Sequence, residues 1–179
     1  MSHRPAFEAA LRLLARASDA MVALGHERPV LVGGGAVELY SQSAVNTGDF
    51  DIVTGRQAEF EGVLQRLGFV RPTGPGVATR GWIHPELALG FEVVSATLLN
   101  GLADRERLLL IDIDHDGTAA VLSIEDIIAD RMGQFASGSA PEMREQARRL
   151  LMLHSDCDRH YLDRRIREET AGDYGLDAL

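Results

Sequence analysis

Two aspartates one residue apart, Asp49 and Asp51, stand in "NTGDFDIVT" (46–54) among residues that favour a buried strand: Phe50, Ile52 and Val53. Alternate side chains of a strand share a face, so the spacing puts both carboxylates on one side and Phe50 with Ile52 on the other. Two like charges on a half-buried element are costly unless something positive sits between them. Just upstream, "PVLVGGG" (29–35) is an apolar run that ends in Gly33, Gly34 and Gly35, and "AVELYSQS" (36–43) has the look of a short helix. Strand, glycines and helix start form the layout of anion-binding turns, because free backbone N–H groups collect there. The trio matches neither the dinucleotide fingerprint, where Glu38 replaces the third glycine, nor a P-loop, since no Gly-Lys-Ser/Thr follows. Alone it is equally a close strand-to-helix turn. Joined to Asp49 and Asp51 across a short spacer, it places two carboxylates beside a phosphate-cradling turn. That is the arrangement needed to hold Mg²⁺ against nucleotide phosphates, since Mg²⁺ prefers and bridges carboxylate and phosphate oxygens. The bland alternative is an edge strand whose acids discourage aggregation.

The bulk of the chain bounds this chemistry. At 179 residues, 45% apolar and 25% charged, it is long enough for a sizeable core and is globular rather than disordered. A net charge of −9 argues against bulk electrostatic binding to nucleic acid or an anionic membrane, while leaving room for a local basic cleft. The single cysteine, Cys157, excludes an internal disulfide framework and a four-cysteine zinc site. No apolar run reaches membrane-spanning length and the N-terminus lacks a signal-peptide layout, so a cytoplasmic protein is expected. All 18 basic residues are arginine. Genomic base composition accounts for that, and whatever the cause, Schiff-base and P-loop lysine chemistry are excluded.

The elements that must position the acids follow from periodicity. Residues 5–24 form an amphipathic helix bounded by Pro5 and Gly25, and 56–67 a second, closed by Gly68. Strands are expected at 29–32, 49–54, 80–84 and 87–96, with a loop over 69–81 that has room for one edge strand. "RLLLIDI" and "TAAVLS" flank "DHDG" as a hairpin. From Ser123 the period becomes helical, with an N-cap serine and early acids in "SIEDIIADRMGQFA", then two further helices and a frayed tail after Thr170. The fold class is α+β, a mixed β-sheet with flanking helices and a C-terminal helical cluster. The division is a core at 1–122 with a helical subdomain at 123–179 packed on it.

"VLVGGGAVELYSQSAVNTGDFDIVT" resembles the motif of the minimal nucleotidyltransferases of the DNA polymerase β-like superfamily: a hydrophobic residue, Gly-Gly, a spacer, then Asp-hydrophobic-Asp. Thr47 and Gly48 fit the bacterial branch that includes AbiEii-type toxins, as do "LSIEDIIADR" (122–131) and the C-terminal helices, so the likeness spans roughly 28–165. It implies a nucleotidyltransferase-like fold and a third metal-facing carboxylate, for which Glu92 in "LGFEVVSA" is the candidate. Asp49, Asp51 and Glu92 would then hold two Mg²⁺ (or Mn²⁺) ions for in-line attack on the α-phosphate of an NTP, and Glu92 would help deprotonate the acceptor hydroxyl. Gly33, Gly34, Gly35, Thr47 and Arg131 would contact the nucleotide. The acceptor would be a protein side chain, an RNA 3′ end or a small molecule, and the biological setting a toxin with an antitoxin partner. Two departures point to an alternative, a catalytically degenerate binding or interaction module: Val45 lies where the branch often has arginine, and Arg131 replaces a helix lysine.

Three other motifs compete. "DIDHDG" (112–117) has the front half of a calcium loop but Ser123 at the twelfth position, so a hairpin turn at His115–Asp116–Gly117 is preferred. His154, Cys157 and His160 could bind zinc on a continuous helix, although Ser155–Asp156 looks like a break, and Cys157 as a nucleophile with His160 as base lacks an oxyanion hole. Trp82 could stack a base, or simply pack.

Overall fold

In the computed structural model the described residues are 3–72, 81–87 and 89–179. They divide into two compact units, one of residues 1–97 with 108–121 and one of 98–107 with 122–179. The class is α+β, as the periodicities imply.

The first unit is built on a six-stranded mixed sheet. Its strands are β1 (Val30–Val32), β2 (Asp49–Val53), β3 (Trp82–His84), β4 (Leu89–Ser95), β5 (Leu109–Asp112) and β6 (Thr118–Val121), in the order β3-β4-β2-β1-β6-β5. β2 and β1 therefore lie at the centre, antiparallel to each other, with β4 parallel to β2 and β6 parallel to β1. β3 and β5 close the two edges as antiparallel neighbours of β4 and β6. An isolated bridge joins Val70 to Ile83, and residues 73–80 of the segment where an edge strand is allowed lie outside the described residues.

Three helices accompany the sheet: α1 (Pro5–Ala23), α2 (Gly33–Tyr40) and α3 (Gln57–Arg66). α1 starts on Pro5, which supplies the right φ and whose absent N–H costs nothing in the first turn. It buries Phe7, Leu11, Leu14 and Met21, recurring at helical spacing. Phe7 lies against Phe50 at 5.2 Å between ring centroids, Phe50 stacks on Phe91 at 5.0 Å, and Phe69 meets Phe91 at 4.7 Å. This aromatic file crosses the centre of the sheet and marks its apolar face. Each fully buried ring contributes about 1.5–3 kcal/mol of transfer free energy, so the alternation around Phe50 is strongly held. α2 begins three residues earlier than its sequence suggests, so the glycines are its first turn rather than a preceding loop. Gly33, at φ +58°, makes the bend from β1.

The β5–β6 hairpin closes through a short 3₁₀ turn at Asp114–Asp116, with the Ile113 amide donating to the Gly117 carbonyl at 2.8 Å. Gly117 sits at φ +100°, and Asp112 faces Thr118. The flanks are strands, as the hairpin reading requires.

The second unit holds α4 (Ile124–Ala136), α5 (Met143–Leu153) and α6 (Arg159–Glu169). Ser123 caps α4 by accepting from the Asp126 amide at 3.1 Å, and Asp158 caps α6 by accepting from Tyr161 at 3.0 Å. Its centre is polar: fully buried Arg165 donates to Asp126 at 2.6 Å, Glu168 at 2.6 Å and Glu169 at 2.5 Å. These acids raise the arginine's already high pKa, outweighing the opposing effect of burial. The tail is not frayed. Residues 176–178 form a 3₁₀ turn, Arg144 donates to the Ala178 carbonyl at 2.9 and 2.6 Å, and the Leu176 amide donates to Asp163 at 2.8 Å. Terminal carbonyls supplied the anchors, and composition does not reveal those.

Candidate functional site

The site begins with strand register. Asp49 faces Gly90, Phe50 faces Phe91 and Asp51 faces Glu92 across the parallel β2–β4 pair. Directly opposed residues share a face, and alternate residues of one strand do too. Asp49, Asp51 and Glu92 therefore lie together on the face opposite the Phe50–Phe91 stack. Asp49 is exposed, while Asp51 and Glu92 are half-buried.

Each aspartate leans over a glycine. An ideal Cβ on Gly33 would collide with the Asp51 carboxylate, lying 2.9 Å from its Cγ, and a Cβ on Gly90 would sit 2.6 Å from Asp49 Oδ1. The Gly34 amide points at Asp51 Oδ2 from 3.4 Å. The glycine corner and the Asp-Phe-Asp strand are thus in direct contact through Asp51. Because Asp51 leans toward β1 and Asp49 toward β4, the two carboxylates diverge. Among the described residues no group of three or more His, Cys, Asp or Glu side chains is disposed to hold a metal ion.

A second, unanticipated layer holds the loop before β2. Glu38 of α2 is fully buried and accepts from Arg4 Nε at 2.6 Å and Arg4 Nη2 at 3.0 Å. It also accepts from the Thr47 amide at 2.6 Å and the Ser43 hydroxyl at 3.0 Å, and Arg4 Nη2 donates to the Thr47 carbonyl. Burial pushes the Glu38 carboxyl up, but these donors together outweigh it and hold the pKa below its ordinary value. Thr47 then passes the constraint on, its hydroxyl donating to the Asp49 carbonyl at 2.8 Å. The same hydroxyl lies where a Cβ on Gly34 would fall, at 2.8 Å. Arg4, N-cap of α1, thus supplies the positive charge beside Thr47, where Val45 cannot. A Glu at 38 read only as a failed third glycine is in fact the hub of this loop.

Arg131, in α4 of the second unit, is buried, donating from Nη1 to Gln134 at 3.1 Å and to Met143 Sδ at 3.5 Å. Its Nε and Nη2 are buried without hydrogen-bond partners, Nη2 lying 3.7 Å from Asp130. Trp82 is core-like, buried beneath the Arg71 guanidinium at 5.2 Å, which favours packing over base stacking. His154 ends α5, Cys157 lies in the break and His160 is in α6, so no continuous helix aligns them.

No protein-family model and no curated protein sequence matches the chain. Solved structures do. An antigenic nucleotidyltransferase-like protein from Paracoccidioides brasiliensis superposes with a TM-score of 0.62 at 12% identity, over 96% of this chain and 90% of that one. The antibiotic-resistance factor ANT(2'')-Ia, in complex with adenylyl-2''-tobramycin, superposes at 0.58 with 14% identity, over 91% of this chain and 98% of that one. Its solution structure gives 0.56 at 14% identity. At such identities the likeness is one of fold, and the fold is nucleotidyltransferase-like.

Proposed function

We propose that the chain transfers a nucleoside monophosphate from an NTP to an acceptor hydroxyl, with Asp49, Asp51 and Glu92 as the acidic centre. The observation that carries this reading is the in-register pairing of Asp51 with Glu92 beside the Gly33–Gly35 corner. The donor set suits Mg²⁺ or Mn²⁺: oxygen-only ligands, each aspartate flanked by a glycine that leaves it room to turn. Such an ion, when bound, would neutralise charge on the α-phosphate and on departing pyrophosphate. The chain's own residues would do the rest. The amides of Gly33–Gly35 would orient the triphosphate, with Thr47 holding the strand beneath it. Glu92 would accept the acceptor's proton as its oxygen bonds to the α-phosphorus and the bond to pyrophosphate breaks. Arg131, in the second unit, keeps two buried donors without hydrogen-bond partners, which suits it to an anion. The solved neighbour that carries adenylylated tobramycin supports a small hydroxyl-bearing acceptor. The motif's resemblance to AbiEii-type proteins adds a setting, the toxin of a toxin–antitoxin pair, tested by growth arrest on expression.

The divergence of Asp49 and Asp51 favours a second reading, a nucleotide-binding module without transfer. Calorimetry with each NTP, with and without Mg²⁺, and labelled-NTP transfer to candidate acceptors separate the two on wild type, Asp51→Asn and Glu92→Gln. Metal-dependent binding with transfer lost in both variants supports the enzyme. Binding without transfer supports the module. Absence of NTP binding by the wild type sinks both.

A further inference from the structure

The loop that delivers the acids is strained. Residues 41–48 join α2 to β2, and they leave the helix with two consecutive residues in the left-handed region, Gln42 at φ +52° and Ser43 at φ +61°. The Gln42 amide donates to the Leu39 carbonyl at 3.1 Å and the Ser43 amide to the Glu38 carbonyl at 2.9 Å, the pattern of a Schellman helix end. Such an end favours glycine at the Gln42 position, and a residue with a side chain adopts it at a cost. Side chains hold the turn instead. The Ser43 hydroxyl accepts from the Arg4 amide at 3.2 Å and donates to Glu38 at 3.0 Å. Arg4 and Glu38 also grip the far end of the loop on both sides of Thr47, the guanidinium on its carbonyl and the carboxylate on its amide. One ion pair thus ties down both ends of the loop, and Thr47 is where that loop touches Asp49 and crowds Gly34. Strain of this kind persists only where its surroundings over-determine it, and it gathers at functional positions.

We propose that Arg4, Glu38 and Ser43 are positioning residues for the acidic centre: their clamp holds the strained loop so that Asp49 enters β2 in the orientation that receives a divalent cation. The purpose of the clamp rests on the nucleotidyl-transfer reading above. The three residues act through Thr47, whose two flanking peptide groups they fix. When the clamp is weakened, the left-handed turn relaxes and carries Thr47 and Asp49 with it. The register of β2 persists, because β1 and β4 set it from either side.

Titration of the full chain with Mn²⁺, read by water-proton relaxation, tests this with the metal alone, and calorimetry with each Mg·NTP repeats it with nucleotide. Arg4→Lys keeps the charge but offers one nitrogen where Nε and Nη2 are both used. Its Mn²⁺ affinity should fall about tenfold, as for partners that orient metal ligands from behind. Ser43→Ala leaves the ion pair in place and should lose affinity by a smaller factor. Gln42→Gly alone should raise the melting temperature and leave Mn²⁺ affinity unchanged. Added to Arg4→Lys, it should recover most of the lost affinity, because glycine keeps the turn without the clamp. A clamp that serves the fold alone would lower the melting temperature of Arg4→Lys and Ser43→Ala with Mn²⁺ affinity intact well below it, and that result overturns the proposal. So does a loss in Arg4→Lys that Gln42→Gly leaves untouched. If wild type binds Mn²⁺ and no NTP, the nucleotidyl reading fails while the Mn²⁺ series still decides the clamp. A wild type that binds neither overturns both.

Discussion

Asp51 and Gly33 occupy one space: the carboxylate of the first lies where any side chain on the second would have to go. Gly33 also adopts a left-handed φ of +58°. Gly33→Ala should therefore cost about 1–3 kcal/mol for backbone strain alone, and should push Asp51 off the glycine corner. Chemical denaturation reads the first effect and Mg·NTP calorimetry the second, with binding expected to fall at least tenfold.

Gly90→Ala separates the two causes. Gly90 does not have a left-handed φ, yet its Cβ would lie 2.6 Å from Asp49 Oδ1. Stability should change by less than in Gly33→Ala, while Mg·NTP binding falls comparably. Equal loss of stability in both variants would show that displacement of the acids, not strain, dominates.

Glu38 supplies a pH signature. Its folded pKa is depressed, so the stability it adds is fully present above the unfolded-state pKa and is lost as pH falls through the folded-state value. Glu38→Gln should be less stable than wild type at neutral pH, by about 1–3 kcal/mol for a disrupted buried network. That difference should shrink in the acid range below the ordinary glutamate pKa. Urea unfolding at a series of pH values checks it. Arg4→Ala should reproduce the neutral-pH loss, because it strands the buried carboxylate.

Arg165 predicts the cost of an uncompensated charge. Asp126→Ala removes its fully buried partner and also strips acceptors from Ser123 and Tyr161. Breaking one side of a buried pair costs about 3–5 kcal/mol, so thermal unfolding should shift down by many degrees. Glu168→Ala, at the more exposed end of the network, should cost far less.

The docked tail gives a smaller effect. Arg144→Ala releases two hydrogen bonds to the Ala178 carbonyl and a guanidinium lying 5.5 Å from the Phe135 ring centre. A loss of about 1–2 kcal/mol is expected, with faster proteolysis after residue 170.

Much of this was legible from local pattern. The alternation around Phe50 placed both aspartates on one face, and the register with β4 brings Glu92 opposite Asp51. Gly68 and Ser123 marked helix ends because capping is a local property. What escaped is what depends on distant partners. Gly90 is an ordinary strand glycine until β4 is set beside Asp49. Glu38 is an ordinary helical acid until Arg4 and Thr47 converge on it from both sides in sequence. The tail read as frayed because its anchors are its own backbone carbonyls. The lean of Asp51 over Gly33 and of Asp49 over Gly90 is set by glycines at the start of α2 and in β4, which no spacing rule encodes.

The chain leaves the sheet unit after Thr97, spends residues 98–107 in the helical unit, and returns for β5 and β6 before leaving again. β6 is the strand that flanks β1 on the side away from β2. During translation, then, the central strand that leads into the glycine corner waits for its second neighbour until the ribosome has passed residue 121. Any nascent chain shorter than that presents β1 as a raw hydrogen-bonding edge, so a stall within the first hundred residues would yield an intermediate prone to misassociation rather than a smaller working protein.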